Sequence, residues 1–127
     1  MIGQTFRVWD KRYKQYVKPY AVCLDGRAIV ITEPCNDLET LDSERAIIEF
    51  GTGIKDKNGK EICEGDILDD GVSHIGNVFF NQRISAYVFE FVVDDNIVGS
   101  TFIDLYTSDI EIIGNIHENP ELLGGKE

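Results

Sequence analysis

Short apolar segments alternate with polar turn residues along most of the chain, a pattern typical of β-strands. Segments such as FRVWD near the start and AYVFEFVVDD after residue 85 are rich in the β-branched and aromatic residues that favour strands. Between Tyr87 and Val93 only Glu90 is polar, so this strand is predicted to be central and covered on both faces. Many short strands with little helix predict a mainly β protein, either a small barrel or a sandwich.

Three turns are predicted from glycines that lie between apolar segments. In AVCLDGRAIVI, the pair Asp25 and Gly26 predicts a two-residue hairpin turn. In KDKNGKE, Asn58 and Gly59 predict a second hairpin turn, because both residue types accept positive φ. In CEGDIL, Gly65 allows the backbone to reverse into the next strand.

Two segments carry weaker or different signals. In EPCNDLETLDSERAIIEF, Pro34 and the following polar residues predict a loop, with or without one helical turn, before a strand over about residues 45–50. Near the end, ENPELLGG predicts a compact helix with Asn119 as its cap and Pro120 in its first turn. The glycines at 124 and 125 are expected to end this helix.

The size and composition predict one soluble domain over residues 1–127. Apolar residues make up 43% of the chain and charged residues 28%, as in ordinary globular proteins. No apolar run is long enough to cross a membrane, and MIGQTFRVWDKRYK lacks the apolar core of a signal peptide. We therefore expect a cytoplasmic protein. Three cysteines without a C-x-x-C pair predict reduced thiols and neither a disulfide framework nor a zinc site.

The net charge of -11 is unevenly spread along the chain. Residues 1–20 hold five cations and a single acid, and the acids dominate the remainder. An acidic surface repels phosphate backbones, so general nucleic-acid binding is disfavoured. The opposed charges would allow attraction between chains, which leaves a homo-oligomer open.

Aromatic and basic residues interleave near the start of the chain, a mixture that could stack and neutralise single-stranded nucleic acid. The candidates for such contacts are Arg7, Trp9, Lys11, Arg12 and Lys14. We favour a different interpretation, an amphipathic hairpin in which the aromatic side chains pack inward and the cations face water.

A row of carboxylates follows the predicted turn at Asn58 and could converge on a divalent metal. Its members are Glu61, Glu64, Asp66, Asp69 and Asp70. Exposed acidic loops are far commoner than metal sites, so neither a metal nor another cofactor is predicted.

A calcium loop that begins at Asp56 fails because its required glycine and final glutamate positions hold other residues. Cys63 with His74 would supply two ligands of the four that zinc needs.

The two histidines, His74 and His117, are the remaining candidates for chemistry. A nucleophile–base pair can be drawn from Ser73 or Cys63 with His74, but no local sequence signature supports it. No catalytic residue is therefore predicted.

Three segments resemble the YopX-like family, small proteins of temperate phages and prophages. They are FRVWDKRYKQYV, FGTGIKDKNGKEICEGDIL and DIEIIGNIHENPELL, and the resemblance extends from Phe6 to Leu123. It implies a largely β fold with an SH3-like barrel after the EGD turn. On this basis we expect an N-terminal hairpin region over about 1–50, a barrel over about 51–117 and a C-terminal turn over 118–127. The family's biochemical activity is not established, so it supplies no catalytic residues, and His117 stands where tyrosine is common.

Together these observations predict a non-enzymatic phage or prophage accessory protein that acts by protein–protein interaction, with a host or phage partner. Two alternatives stay open. The first is binding of single-stranded nucleic acid through the basic aromatic segment, and the second is a metal-dependent enzyme built on the acids from Glu61 onward.

Overall fold

The computed structural model describes residues 5–71, 74–93, 97–102 and 109–123. The chain is mainly β, as predicted, with eleven strands and one short 3-10 helix in these residues. Within the same ranges, no helix has the length and apolar composition that a membrane crossing requires. The chain divides into two compact units, Met1–Phe50 and Gly51–Glu127, which we call unit 1 and unit 2.

Unit 1 is an antiparallel sheet with the strand order β4-β3-β2-β1-β5. The strands are β1 (Phe6–Asp10), β2 (Gln15–Val22), β3 (Ala28–Thr32), β4 (Asp37–Leu41) and β5 (Ala46–Lys55), of which β5 continues into unit 2. The predicted strand over about 45–50 is thus confirmed and is longer than expected. Three of the four neighbouring pairs in this order, β1–β2, β2–β3 and β3–β4, are consecutive in the chain. Local hairpins therefore build most of the sheet.

The two faces of the unit 1 sheet differ in chemistry because side chains alternate along each strand. One face carries a core of small and branched apolar residues, namely Val8, Ala28, Val30, Leu41 and Ala46, with Phe6, Val17 and Ile48 against it. On the other face Trp9 lies opposite Tyr16, and their rings meet edge-on with centroids 5.0 Å apart. The β2–β3 register shifts between Pro19 and Ala21, which leaves Tyr20 exposed at the bulge.

The turn predicted at Asp25 and Gly26 is present, but it holds three residues and not two. Cys23 and Arg27 form its closing backbone hydrogen bond, N to O at 2.8 Å, and the Gly26 N–H donates back to the Cys23 carbonyl at 3.0 Å. Gly26 has a φ of 94°. This is a type I turn followed by a glycine in the left-handed region, which is the common form of three-residue hairpins.

The loop predicted for DLETL is wrong, because Asp37–Leu41 forms strand β4. It pairs with β3 in continuous register from Ala28 opposite Leu41 to Thr32 opposite Asp37, so the loop shrinks to residues 33–36. Leu38 and Leu41 are three residues apart, a spacing that in a helix would place them on one side. In the strand these two residues lie on opposite faces, and Leu41 alone is buried, with 2% of its surface exposed.

In unit 2 five antiparallel strands form a sheet with the order β10-β9-β8-β7-β11, and the second half of β5 pairs with β6. The strands are β6 (Glu61–Cys63), β7 (Asp66–Asp69), β8 (Ile75–Asn81), β9 (Ala86–Val93), β10 (Ile97–Phe102) and β11 (Glu111–Asn115). The described residues show no pairing between β10 and β11, so the sheet is open there. Its core consists of Ile62, Leu68, Val78, Phe89 and Ile110.

Strand β9 has the central place predicted for it, between β8 and β10. Val88 and Phe89 are each 1% exposed. Because consecutive residues of a strand point to opposite faces, both faces of β9 are covered at this point. The long apolar run around Glu90 was therefore a reliable signal of a buried strand.

The predicted C-terminal helix is a 3-10 turn, Pro120–Leu123. The Asn119 carbonyl accepts a hydrogen bond from the Leu122 N–H at 3.0 Å, while its side-chain oxygen accepts from the Asn115 N–H at 3.2 Å. The side chain therefore holds the end of β11 and does not cap the helix. The glycines at 124 and 125 lie outside the described residues.

The turn at Asn58 and Gly59 is also a three-residue turn, built like the first. The Asp56 N–H donates to the Lys60 carbonyl at 2.8 Å and the Gly59 N–H to the Asp56 carbonyl at 3.0 Å. The hairpin turn predicted at Asn58 and Gly59 is therefore present, and of these two residues Gly59 takes a positive φ, 84°, whereas Asn58 does not. The turn predicted at Gly65 is confirmed between β6 and β7, and its φ is 86°.

A buried aspartate connects this second turn to the last strand of unit 2. The Asp56 side chain accepts hydrogen bonds from the backbone N–H groups of Asn58 at 2.9 Å and Lys60 at 3.0 Å. Its other oxygen accepts from the N–H of Ile112 in β11 at 3.0 Å. Burial alone would raise the pKa of Asp56, but these backbone donors outweigh it, so the pKa lies below its usual value.

Candidate functional site

A pocket of about 410 Å³ lies on unit 1. Val17 and Val30 contribute apolar side chains from the core face of the sheet, while Asp10, Glu39 and Arg45 contribute charged ones. A volume of this size and a mixture of apolar surface with a few polar groups are typical of binding pockets in proteins. The pocket is therefore the candidate functional site of unit 1.

Asp10 shapes one wall of the pocket from the end of β1. Its carboxylate accepts a hydrogen bond from the Arg12 N–H at 2.9 Å, which fixes the turn into β2. The Arg45 guanidinium binds both carboxylate oxygens, Nε to Oδ1 at 3.1 Å and Nη2 to Oδ2 at 2.9 Å. Although burial opposes it, the hydrogen bond from Arg45 holds the pKa of Asp10 below its usual value.

Arg45 is held on all its sides by residues of unit 1. The backbone turn before it is fixed by Asp42, whose side chain accepts from the Arg45 N–H at 3.2 Å. Its Nη1 reaches the Glu39 carboxylate at 3.2 Å, and its guanidinium lies 5.3 Å from the centre of the Tyr13 ring. The side chain of Arg45 is 18% exposed and that of Glu39 is 44% exposed. The result is a rigid cation whose charge is balanced by two acids.

A second polar network occupies the opposite face of the same sheet. The Glu49 carboxylate accepts from Arg7 Nε at 2.8 Å and from the Tyr16 hydroxyl at 2.9 Å. Arg7 also lies over the Tyr16 ring, 4.7 Å from its centre. Glu49 is 4% exposed, so this is an almost fully buried acid with two strong donors. The network supports the sheet, and of its three members Tyr16 also lines the pocket.

The five residues considered for nucleic-acid contacts fall into two groups, two in the sheet and three in an exposed turn. Arg7 is engaged by Glu49, and Trp9 is 6% exposed, which leaves little of its ring for stacking on a base. Lys11, Arg12 and Lys14 are all exposed in the turn between β1 and β2. The structure thus brings three of the five together on one turn, where Tyr13 is also 63% exposed.

The five acids considered for a metal lie on β6, β7 and the turns beside them. The Glu61 carboxylate accepts from a backbone N–H at 3.0 Å, that of Asp66 at 2.8 Å and that of Asp69 at 2.9 Å. Glu64 is half-buried, and Asp70 binds a histidine. In the part of the chain that the structure describes, no three His, Cys, Asp or Glu side chains converge as metal ligands would. These carboxylates mainly hold turns in place.

The histidines lie in different settings. His74 Nδ1 is 2.8 Å from the Asp70 carboxylate, and its ring centre is 4.3 Å from that of Phe91. Asp70 is 4% exposed, so a buried acid orients a partly exposed imidazole, an arrangement that the sequence reasoning did not foresee. Ser73 lies outside the described residues. His117 is half-buried and uses its backbone N–H in the turn after β11, where it donates to a side-chain oxygen at 3.0 Å.

The pocket itself was also missed, because its charged members lie far apart in the sequence. Asp10 and Arg45 are 35 residues apart, and no spacing rule connects them. One local signal was available: Asp10 ends an apolar strand and precedes KRYK, the position where an aspartate accepts backbone hydrogen bonds from a turn. That signal identifies a turn and gives no sign of a pocket.

Comparison with known proteins places the chain in a family. The model of the YopX protein family matches residues 5–124. The crystal structure of protein EF1440 from Enterococcus faecalis is 28% identical with a TM-score of 0.54, and the match covers 97% of this chain and 99% of that one. The X-ray structure of protein yopX from Bacillus subtilis is 23% identical with a TM-score of 0.57 over the same shares of the chains, a likeness of fold alone. None of the curated proteins matches. Since the family model spans nearly the whole sequence, the chain belongs to the YopX protein family.

Proposed function

We propose that this protein works without catalysis by binding another protein through the pocket of unit 1. The observation that carries the proposal is a pocket with apolar surface from Val17 and Val30 and charged groups that are already paired with one another. Pockets of this kind receive anchor side chains of a partner, and paired charges at their walls fix the orientation of those side chains.

The state of the charged groups argues against acid–base catalysis in this pocket. Asp10 accepts three close hydrogen bonds from Arg12 and Arg45, and its lowered pKa makes it a poor proton acceptor. Arg45 donates to two carboxylates. A general base needs a pKa near the working pH, and the lowered pKa of Asp10 moves it away from that range.

The rim of the pocket carries an aromatic residue suited to a protein interface. Tyr13 lines the pocket and is 63% exposed. Tyrosine is enriched among the residues that dominate binding energy, because it offers a large rigid surface and a hydroxyl group. We therefore assign Tyr13 the role of the main contact residue.

In its wider role the protein is proposed to be a phage or prophage accessory protein that meets a host or phage protein in the bacterial cytoplasm. Unit 2 is proposed to be an SH3-like barrel. Its strand order supports this, because four consecutive strands form a meander and β11 returns beside the first of them, β7. Such a scaffold is compatible with many functions, so the binding role rests on unit 1.

The test is affinity purification of the tagged protein from induced host cells, followed by binding measurements with the purified partner. Tyr13→Ala should lower the affinity at least tenfold, because truncation of an interface anchor typically costs about 2 kcal/mol or more. Tyr20→Ala is the matched control, since Tyr20 is 59% exposed and belongs to β2 but does not line the pocket. The proposal is wrong if no protein is recovered in stoichiometric amount, or if both variants bind like the wild type.

A second candidate, binding of single-stranded nucleic acid, is favoured by one observation. Lys11, Arg12 and Lys14 surround the exposed ring of Tyr13 on a single turn, and cations beside an exposed ring are what such binding uses. Binding of a labelled oligonucleotide should weaken as salt rises, and Arg12→Ala with Lys14→Ala should reduce the salt slope by about 0.7 for each lost phosphate contact. No binding at low salt would exclude this candidate.

Self-association is the third proposal that the charge distribution supports. The first twenty residues are basic and the remainder is strongly acidic, so two chains can attract one another electrostatically. Sedimentation should then show multimers that dissociate as salt rises, since exposed charges are screened within about 8 Å at physiological salt. A monomer at every salt and protein concentration would contradict charge-driven assembly.

A further inference from the structure

The outer edge of strand β4 is a surface that a partner protein can pair with, and this use of it rests on the proposed role in protein binding. We infer that this edge binds an extended segment of the partner protein in which basic residues alternate with apolar ones. The segment would add to the unit 1 sheet as a further strand beside β4.

The edge of β4 is available for such pairing. In the strand order of unit 1, β4 stands at one end, and within the described residues its hydrogen-bonded neighbour is β3. Residues 33–40 are all exposed. An edge strand presents a row of backbone N–H and C=O groups on its outer side, which is a template for an added strand. β4 spans five residues, enough for two or three pairs of backbone hydrogen bonds.

The register of β4 determines which side chains a new strand would meet. Glu39 lies opposite Val30, so it shares the face that carries the core and the pocket. Leu38 lies opposite Ile31 on the other face and is 55% exposed. Because side chains alternate along a strand, the partner would place every second residue beside Asp37 and Glu39 and the residues between them beside Leu38.

The charge of the chain around β4 determines which partner residues fit beside Asp37 and Glu39. Residues 33–44 hold five acids and no lysine or arginine. Glu39 of β4 lines the pocket, and its carboxylate contacts Arg45 Nη1 at 3.2 Å. Because the Glu39 side chain is still 44% exposed, its carboxylate is accessible to a second cation. Lysine or arginine is therefore the complement on the pocket face, and an apolar residue is the complement beside Leu38.

A second copy of this chain is a poor occupant of the same edge. Antiparallel pairing of β4 with β4 of another copy would place Glu39 opposite Glu39, or set the flanking acids Asp37 and Asp42 against each other after a shift of register. Like charges directly opposite one another destabilise a sheet. Charged side chains on an edge strand are a known protection against self-pairing, and they leave a basic segment as the matching partner.

The pocket adds a place for the basic side chains. Glu33, Glu39 and Thr32 all line it, so it opens at the same side of the sheet as the β3–β4 hairpin. Neighbouring strands lie about 4.8 Å apart, and a lysine or arginine stem is long enough to bridge that distance. Such a stem packs on apolar surface while its charged head stays with the acids.

The experiment uses the full chain and a fluorescent nine-residue peptide of alternating lysine and valine. Anisotropy should show saturable binding that weakens with salt, and the peptide of alternating glutamate and valine should not bind. Two further peptides carry N-methyl groups on every lysine or on every valine. Because alternate N–H groups face opposite edges of a strand, one of these two peptides should bind at least tenfold more weakly than the parent. Equal binding of both would overturn strand addition, as would no binding of the lysine–valine peptide below about 1 mM.

Variants of the protein locate the site. Asp37→Lys should weaken peptide binding roughly fivefold, because it reverses one exposed charge on the edge. Glu121→Lys is the control, since it makes the same change in net charge on an exposed residue of unit 2. Equal losses in the two variants would place the peptide elsewhere and overturn the inference. If the peptides fail but a purified partner binds and depends on Tyr13, the edge is wrong and the proposed function stands; without any such partner, the proposed function itself fails.

Discussion

The hydrogen bonds of Asp56 give the sharpest stability prediction. Asp56→Ala removes the acceptor for three backbone N–H groups, those of Asn58, Lys60 and Ile112. A hydrogen bond to a charged group contributes about 1.5–3 kcal/mol. The first two donors lie in an exposed turn and can bind water once the acid is gone, so they contribute little to the loss. Ile112 is half-buried, and its N–H would lose its side-chain acceptor.

We therefore expect Asp56→Ala to lower the free energy of unfolding by about 3 kcal/mol, mostly through Ile112. Asp56→Asn keeps one acceptor oxygen for the turn residues but places an amide NH2 group beside the Ile112 N–H of β11. It should therefore lower the free energy of unfolding by about 2 kcal/mol. Asp69→Ala is the matched control, because its carboxylate accepts one bond, from the N–H of an exposed glycine. That variant should lose less than about 1 kcal/mol.

Urea denaturation followed by circular dichroism measures these differences, provided that the slope of the transition stays constant. Amide hydrogen exchange supplies the local readout, since the Ile112 N–H should exchange faster in Asp56→Ala than in Asp69→Ala. If Asp56→Ala is no less stable than Asp69→Ala, or if exchange at Ile112 is unchanged, the bond across 56 residues does not hold the strand as described.

Gly76, Asp10 and Tyr16 each make a close contact that a single substitution tests. Gly76→Ala should abolish folding of unit 2 or cost several kcal/mol, because a Cβ there overlaps the carbonyl of Glu90; circular dichroism checks this, and a native spectrum would contradict it. The lowered pKa of Asp10 stabilises the fold above about pH 4, and this contribution is lost as the pH falls through the folded value. Melting temperatures of Asp10→Asn should thus vary less between about pH 5 and pH 2 than those of the wild type. Tyr16→Phe should cost about 1 kcal/mol through its lost bond to Glu49, and no change in thermal stability would refute that bond.

The sequence predicted where the chain turns better than how it turns. Glycines 26, 59 and 65 marked three turns correctly, since each needs a positive φ that other residues avoid. The two hairpin turns nevertheless hold three residues, because the aspartate or asparagine before the glycine keeps an ordinary φ. Residue preferences identify such positions, but the number of residues in the turn depends on the pairing of the flanking strands.

The edge strand and the buried acids escaped prediction for different physical reasons. β4 contains three polar residues in five and is exposed except at Leu41, so neither burial nor alternation distinguishes it from a loop. Its structure comes from pairing with β3, which is a tertiary effect. The acids at 10, 56 and 66 are nearly buried although the sequence suggested a solvated acidic surface. Their donors are backbone groups and a distant arginine, which residue types alone do not reveal.

The hydrogen bond between Asp56 and β11 also sets an order of events during synthesis on the ribosome. β7 receives its second neighbour, and Asp56 its third donor, only when β11 has left the exit tunnel. Ile110, which is fully buried in the core of unit 2, emerges at the same late stage. Nearly half of the sequence therefore lies between Gly51, where unit 2 begins, and Ile110, which completes its core. A nascent chain paused before residue 110 presents Ile62 and Leu68 with part of their packing missing, and that is the stage at which chaperones have the most apolar surface to bind.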